Sequence, residues 1–493
     1  MKYMKKLICK YNNLPLEIRA SFWFLMASFF QKGISAITTP IFTRLLSTEQ
    51  YGQYEVFNSW LSIITVFVSL NIYAGFYTRG IVKYDEKRNV FTSSMLGLST
   101  TLVGAWTIIY LLFRDFWNQI LSLTTVQVLA MLAMIWATSA FQFWSTEKRV
   151  NLNYKNLIIL TAVVSFLKPA VGIVLVCFSE DKATARILGL AFVEIIFYSF
   201  CFISQMKRGK KFFIAEYWKK ALVFTIPLIP HYLSTSILNG ADKIMIERMV
   251  GASESGIYSL AYTISHIMTL FTLALNQTIN PWLYKQIKNN KISAMGKVAY
   301  ISFAFVAVIS LGLIALAPEI ISLFAPPEYS EAVWIIPPVA MSVFFMFLFH
   351  FFSPFEFYYK KTAFIAIATS VGAVANIILN YIFIKIFGYL AAGYTTLVCF
   401  ILYAISHYIF MIHICKKEHN GEKPYNAKII LIISILLIVL GFLFTLTYKL
   451  PVVRYSIVAV SIVAVIVFRK KIMKMLKTII ATRKSANDTE QGG

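Results

Sequence analysis

The stretch ASFWFLMASFFQKGISAITTPIF at residues 20–42 is long and apolar enough to cross a membrane as a helix, and it carries a lysine near its centre. A lysine at that depth costs roughly 2.5 to 17 kcal/mol, so it usually faces a bundle interior or a water-filled cavity. Ser28, Lys32, Ser35 and Thr39 recur at helical spacing and share one face. We expect that face to line a polar cavity. The alternative is a lysine paired with a buried acid for packing alone.

The composition of the whole chain is typical of a helical membrane protein. Hydrophobic residues make up 58% of its 493 residues and charged residues 14%, and the mean hydropathy is +0.70. A soluble domain would carry about a quarter charged residues. The apolar runs are too long for the alternating strands of an outer-membrane barrel. The net charge of +24 lies in short connections between these runs, so membrane topology explains it and no nucleic-acid partner is expected.

The sequence carries no motif typical of an enzyme or a cofactor site. It has no G-x-x-x-x-G-K-[ST] phosphate loop, which argues against ATP coupling within the chain. The five cysteines are scattered and give neither a metal-binding spacing nor a disulfide framework. We therefore expect a transporter that needs no cofactor. A membrane-bound polymerase or ligase is the alternative from another class, but such enzymes usually need a large loop with catalytic groups.

Fourteen apolar runs predict an all-α polytopic membrane protein with about fourteen transmembrane helices. Most of the 46 lysine and arginine residues lie in the N-terminal arm, in every second connection and in the C-terminal tail. The opposite connections hold few basic residues, among them Arg44, Lys182 and Arg186. Because basic connections stay in the cytoplasm, both termini are predicted to be cytoplasmic.

The sequence also contains an internal repeat. RLLSTEQYGQY at residues 44–54 aligns without gaps on RMVGASESGIY at residues 248–258, which pairs Gly52 with Gly256. Each repeat would hold six helices, and the two would be parallel repeats, as in some secondary transporters. The segments predicted on this basis are an N-terminal cytoplasmic arm at 1–19, a six-helix lobe at 20–205, a cytoplasmic amphipathic linker at 206–220, a second six-helix lobe at 221–413, two additional helices at 427–468 and a basic cytoplasmic tail at 469–493.

Polar residues at membrane depth are the candidates for a binding site in a central cavity. Lys32 and Lys168 are cations suited to a phosphate or diphosphate group, although Lys168 could instead anchor the helix beside Pro169. Hydroxyl, amide and aromatic stripes on neighbouring helices would suit sugars. The residues expected to line the cavity are Ser28, Lys32, Ser35, Asn58, Lys168, Ser236, Asn239, Lys243 and His266.

Two carboxylates at membrane depth, Asp242 and Glu194, are candidates for ion coupling. Each has a structural alternative: Asp242 could pair with Lys243, and Glu194 could bond to a neighbouring helix. No metal site is expected.

Three segments resemble the polysaccharide flippases of the Wzx type, which belong to the multidrug/oligosaccharidyl-lipid/polysaccharide (MOP) exporter superfamily. They are TTPIFTRLLSTEQYGQYEVFNSW at 38–60, its echo ADKIMIERMVGASESGIYSLAYTIS at 241–265, and NIILNYIFIKIFGYLAAGYTT at 376–396. The resemblance implies V-shaped, MATE-like lobes around a cationic central cavity, for which Lys32 is the best match by depth.

The resemblance also implies a function. The family moves undecaprenyl-diphosphate-linked oligosaccharide repeat units across the bacterial cytoplasmic membrane by alternating access, for capsule, O-antigen or exopolysaccharide synthesis. The implied partners are membrane lipids, a polysaccharide polymerase and chain-length machinery. A multidrug or organic-cation exporter of the same fold, or a flippase for the peptidoglycan precursor lipid II, remains an alternative.

Overall fold

The computed structural model describes residues 16–467, and all regular elements within this range are helices. Most of the predicted N-terminal arm and the predicted basic tail at 469–493 lie outside the described residues. Packing divides the chain into an N-terminal unit, Met1–Gly256, and a C-terminal unit, Ile257–Gly493. The linker and the helix that follows it therefore pack as part of the N-terminal unit.

The helices that begin in the N-terminal unit are α1 (Leu16–Leu45), α2 (Thr48–Ser69), α3 (Thr78–Lys83), α4 (Arg88–Leu112), α5 (Arg114–Leu121), α6 (Thr125–Val150), α7 (Tyr154–Cys177), α8 (Lys182–Gly209), α9 (Ala215–Thr225), α10 (Ile229–Met249) and α11 (Ala252–His266). Those of the C-terminal unit are α12 (Thr269–Lys288), α13 (Met295–Ala315), α14 (Ala317–Phe324), α15 (Ile336–Tyr358), α16 (Thr362–Phe387), α17 (Ala391–Glu418), α18 (Ala427–Leu446) and α19 (Pro451–Val467).

Eleven helical segments among the described residues are long and apolar enough to cross a membrane. The number is twelve if α2 and the segment Tyr73–Lys83, which are bent by 67° relative to each other, form one span. The all-α polytopic fold is thus confirmed, but the count of fourteen spans is not. The two predicted spans outside this set are the first, in α1, whose polar stripe lowers its hydropathy, and the last, in α19. The apolar stretch Pro451–Val460 of α19 is shorter than the other spans.

Capping residues lie at the N-termini of several of these helices. Ser47 caps α2: its hydroxyl accepts from the Gln50 N–H, and the Gln50 side chain accepts from the Ser47 N–H. Thr124 and Gln127 form the same reciprocal capping box at the start of α6. These caps satisfy backbone donors that a helix N-terminus leaves without partners.

The core of the N-terminal unit lies among α2, α6 and α8. Phe57, Met131, Ile135 and Ile187 are all fully or almost fully buried there. The predicted linker is fixed to this unit, because the Trp218 indole N–H donates to the Ser94 carbonyl of α4 over 2.9 Å. That the linker is cytoplasmic stays a prediction.

The core of the C-terminal unit is built around α15, the most buried of the candidate spans. Phe344, Phe347 and Phe351 of this helix are fully buried or nearly so. Near its end, the two carboxyl oxygens of Glu356 are hydrogen-bonded to His407 Nδ1 of α17 at 2.7 and 2.9 Å, and both residues are fully buried. This carboxylate is therefore paired within the unit, as buried charges generally are.

Candidate anion-binding cleft

A cleft of about 170 Å³ opens within the N-terminal unit, between α1, α2, α7 and α8. Its lining mixes polar and apolar side chains and includes two cations. The lining residues are Gln31, Ile34, Ser35, Thr38, Phe42, Tyr54, Ser165, Lys168, Pro169, Arg186 and Leu190.

The sequence around the start of α8 places Arg186 in this cleft. The Asp181 side chain caps the helix by accepting from the Thr184 N–H over 3.0 Å. Lys182 then donates to the Leu45 carbonyl over 3.0 Å, which joins the start of α8 to the end of α1. Arg186 follows one turn later and points between α1 and α2.

An aromatic cage, formed by Phe42, Tyr51 and Tyr54, surrounds the Arg186 guanidinium. Its central carbon lies 3.5 Å from the Tyr54 ring centroid, 3.9 Å from that of Phe42 and 5.3 Å from that of Tyr51. Arg186 is only 8% exposed. Cation–π contact with desolvated rings is worth about 0.5 to 2 kcal/mol and offsets part of the cost of burying the charge.

The cage leaves one hydrogen-bond donor of Arg186 unsatisfied. The Nη1 atom is buried and has no hydrogen-bond partner among the described residues. Aromatic faces attract a cation but accept N–H bonds only weakly, so the cost of an unsatisfied donor, about 1 to 3 kcal/mol, remains. An anion in the cleft would supply oxygen acceptors and remove that cost.

Lys168, the second cation of the cleft, already has an acidic partner. Its ammonium group forms an ion pair with Glu194 of α8, and the Thr138 hydroxyl of α6 donates to the other Glu194 oxygen over 3.1 Å. The two helices can approach closely here because Gly189 lies against Gly172, where a Cβ would stand 2.8 Å from a backbone carbon. The pair has no net charge, so Arg186 gives the cleft its positive charge.

The predicted residues of α1 divide between the cleft and the surface of the unit. Ser35 lines the cleft. Ser28 donates to the Phe24 carbonyl of its own helix over 3.1 Å. Lys32 is exposed, and Gln31 rather than Lys32 is the lining residue at that level.

A second group of predicted residues meets where α10 packs on α2. Lys243 forms a buried ion pair with Glu55 at 2.6 Å, and Asp242 beside it is also buried. Ser236 bonds to Ser62 over 3.3 Å. Lys243 is thus neutralised by an acid from another helix, a partner that the sequence analysis did not identify.

The remaining three predicted residues lie apart from both groups. Asn239 is exposed and donates to the Thr235 carbonyl of its own helix over 2.7 Å. Asn58 is half-buried on α2. His266 belongs to the C-terminal unit, where its ring stacks on Tyr262 with centroids 4.1 Å apart. No group of three metal-ligating side chains occurs in residues 16–467.

Arg186 is the residue that sequence reasoning missed. It was counted with the few basic residues of a connection, whereas the structure places it inside α8. The cap at Asp181 was the available signal, because it sets the helix start before Arg186. The three cage aromatics come from α1 and α2, so no local pattern pointed to them.

Family profiles and relatives of known sequence match much of the chain. The profile described as polysaccharide biosynthesis protein matches residues 18–287, and the one described as MatE matches residues 227–382. A Haemophilus influenzae protein named for the Lsg locus is 22% identical over 310 residues, covering 58% of this chain and 71% of that protein. An uncharacterized membrane protein of the same organism is 20% identical over 321 residues, covering 63% and 74%.

Solved structures share the fold at low sequence identity. The lipid II flippase MurJ in an inward closed conformation matches with a TM-score of 0.67 and 17% identity, over 91% of this chain and 99% of that chain. An inward-facing multidrug resistance transporter of the MATE family matches with a TM-score of 0.60 and 14% identity, over 80% and 96%. These likenesses show that the chain shares the fold of these transporters and leave its substrate open.

Proposed function

We propose that this chain, which belongs to the polysaccharide biosynthesis protein family, translocates lipid-linked oligosaccharides with a diphosphate linkage across the membrane. The fold and the apolar helices are those of a multi-pass membrane transporter of the MOP superfamily. The substrate class goes beyond the family and the fold and is part of our proposal. We also propose that the protein works in the bacterial cytoplasmic membrane with both termini in the cytoplasm.

The main support for the proposal is Arg186. Aromatic rings surround its guanidinium, and one of its hydrogen-bond donors has no partner among the described residues. A guanidinium presents five N–H donors in a planar fork, and phosphate oxygens match that geometry. In this cleft the aromatic cage holds the guanidinium in place, and Nη1 has no hydrogen-bond partner within residues 16–467. A diphosphate would therefore meet an ordered donor whose desolvation has already occurred.

The rest of the cleft suits the groups next to a diphosphate. Gln31, Ser35, Thr38 and Ser165 offer amide and hydroxyl groups that can bond to sugar hydroxyls. The lipid chain would stay in the surrounding hydrocarbon. We propose that the protein exposes the cleft alternately to the two sides of the membrane, which would let the polar head group cross without entering the hydrocarbon.

The charge of the cleft favours a diphosphate-linked substrate over an organic cation, which is the substrate of the alternative exporter with the same fold. An organic cation would meet Arg186 and the Lys168–Glu194 pair, which together carry a net positive charge. Like charges at close range in a partly desolvated site are strongly unfavourable. We therefore do not favour export of organic cations.

A substrate panel tests the proposal. The full-length protein would be reconstituted in proteoliposomes with a polyprenyl-diphosphate oligosaccharide, with lipid II or with an organic cation dye. Translocation would be followed by the accessibility of the sugar to an impermeant glycosidase or lectin, and by dye fluorescence. We expect the oligosaccharide lipid to cross faster than in protein-free vesicles. Faster movement of lipid II alone, or of the dye alone, would overturn the assigned substrate.

A further inference from the structure

A groove of about 400 Å³ lies on the surface of the N-terminal unit, between α6, α7 and α8. Its lining residues differ from those of the anion-binding cleft. Because these three helices are long and apolar enough to cross a membrane, the groove faces hydrocarbon, and a lipid chain can lie in it. The apolar side chains that line it are those of Trp144, Ile159, Leu160, Val163, Phe197 and Phe200.

One end of this groove is basic. Lys148 lies one turn after Trp144 on α6, and its Nζ atom is 5.4 Å from the centroid of the Trp144 ring. The face of an indole ring attracts a cation, so this contact holds the ammonium group beside the groove. Asn156, near the start of α7, supplies an amide to the lining. Lys148 and Asn156 therefore place hydrogen-bond donors on either side of the connection between α6 and α7.

The acidic residues of these helices are already paired with other cations. Helices α6, α7 and α8 contain two acids, Glu147 and Glu194. Glu147 accepts from Arg208 at 2.6 and 2.8 Å, and Glu194 forms its ion pair with Lys168. The basic groups at the α6–α7 connection therefore have no acid of these helices left to neutralise them. They are Lys148, Arg149 and Lys155.

We propose that this groove binds an anionic glycerophospholipid. Lys148 and Asn156 donate to its phosphate, and one acyl chain lies along the apolar wall past Ile159 and Phe200. The charge distribution predicts that this end of the helices is cytoplasmic, where the membrane surface is anionic and basic pockets between helices bind lipid head groups. The site goes beyond the proposed function and does not depend on the transported substrate.

Charge complementarity is the physical reason to assign the groove to a lipid of this class. The phosphate of an anionic phospholipid brings the charge opposite to that of Lys148. In a zwitterionic lipid the amine of the head group offsets the phosphate. A second copy of the chain that met the groove symmetrically would bring its own basic end to the interface, and like charges at close range are unfavourable.

Native mass spectrometry of the full-length protein tests the site. The protein would be purified in detergent and incubated with equal amounts of phosphatidylglycerol and phosphatidylcholine that carry the same acyl chains. For the wild type we expect the first bound lipid to be phosphatidylglycerol, with a preference of roughly tenfold or more, the usual effect of a charged hydrogen bond. Glycerol phosphate, the soluble part of the head group, should not displace it, because it lacks the acyl chain.

A charge variant tests the basic end of the groove. Lys148→Gln removes the cation beside Trp144 and should lower the preference for phosphatidylglycerol by roughly tenfold. Lys219→Gln is the matched control, because Lys219 is exposed on α9 and its loss removes the same charge from the side of the protein that is predicted to be cytoplasmic. It should keep the preference of the wild type.

A second variant tests the apolar wall without changing the charge. Ile159→Trp places a larger side chain in the groove and should reduce the binding of both lipids. Ile108→Trp is its control: Ile108 of α4 is 61% exposed, against 62% for Ile159, and does not line the groove. It should bind both lipids as the wild type does.

Several results would overturn the assignment. Equal retention of the two lipids by the wild type, or the same preference in Lys148→Gln and the wild type, would show that the basic end does not select the head group. Displacement of the lipid by glycerol phosphate would assign that end to a free anion. Dimers of the chain without bound lipid would assign the groove to a second copy. If Lys148→Gln fails to fold, undiminished lipid binding by Ile159→Trp would overturn the site independently.

Discussion

Gly52 of α2 and Gly256 of α11 each lie against the backbone of the other's helix. A Cβ at Gly52 would stand 1.8 Å from the Ala252 carbonyl oxygen, and one at Gly256 would stand 2.1 Å from that of Thr48. The contact is reciprocal, and the internal repeat pairs the same residues, Gly52 with Gly256 and Thr48 with Ala252. The contact thus joins backbone positions that the sequence alignment pairs.

This contact predicts that Gly52→Ala destabilises the protein. The added methyl group would meet backbone, which cannot turn aside as a flexible side chain can, so we expect a loss of about 1 to 3 kcal/mol. The unfolding temperature in detergent measures it. Gly104→Ala is the control, because nothing lies within 4 Å of a Cβ there. Equal unfolding temperatures for Gly52→Ala and the wild type would contradict this close packing.

The ion pair between Glu55 and Lys243 makes a second prediction. Glu55→Gln leaves the buried ammonium group without its carboxylate and should cost about 3 to 5 kcal/mol, whereas replacing both residues with apolar ones should cost much less. Unfolding temperatures of Glu55→Gln, Lys243→Met and the Glu55→Leu/Lys243→Met double variant form the comparison. A double variant that is less stable than both single variants would show that the pair does not act as a unit.

Sequence reasoning succeeded where the signal is local. The apolar runs that predict an all-α membrane protein follow from the residues along each helix alone, and the helical fold confirms them. It failed where the partner is distant: Glu55 lies 188 positions from Lys243, and the cage around Arg186 comes from two other helices. Helix packing decides such contacts, and reading a single sequence does not reveal which helix faces meet.

A histidine outside the spans predicts a pH dependence of stability. His419 accepts from or donates to the Tyr359 hydroxyl over 3.0 Å and also bonds to Asn290, which joins three connections of the C-terminal unit. Burial lowers the pKa of His419 below its ordinary 6.5, against the opposing effect of Glu422 and Glu418. The neutral form therefore stabilises the fold above pH 6.5, and that stabilisation is lost as the pH falls below this value.

The measurement is the unfolding temperature between about pH 7.5 and 5, compared with His419→Asn. Between pH 6.5 and 5 the unfolding temperature of the wild type should fall by more than that of the variant. Parallel curves for the two proteins would show that His419 does not titrate in this range.

The predicted topology can be tested by cysteine labelling in intact cells. Lys449 and Lys210 are both exposed, and the charge distribution places Lys449 outside and Lys210 in the cytoplasm. In a cysteine-free background, a membrane-impermeant thiol reagent should label Lys449→Cys but should label Lys210→Cys only after the cells are opened. Labelling of Lys210→Cys in intact cells would contradict cytoplasmic termini.

The most direct test of the central claim is translocation of the polyprenyl-diphosphate oligosaccharide by Arg186→Gln in proteoliposomes. Loss of a charged hydrogen bond costs about 1.5 to 3 kcal/mol, so we predict a roughly 10- to 100-fold slower rate at limiting substrate. Arg114→Gln is the matched control, since Arg114 is exposed on α5 and pairs with Asp115. It should transport as the wild type does. Wild-type transport by Arg186→Gln, in vesicles with equal amounts of folded protein, would contradict the assignment of this cleft to the diphosphate.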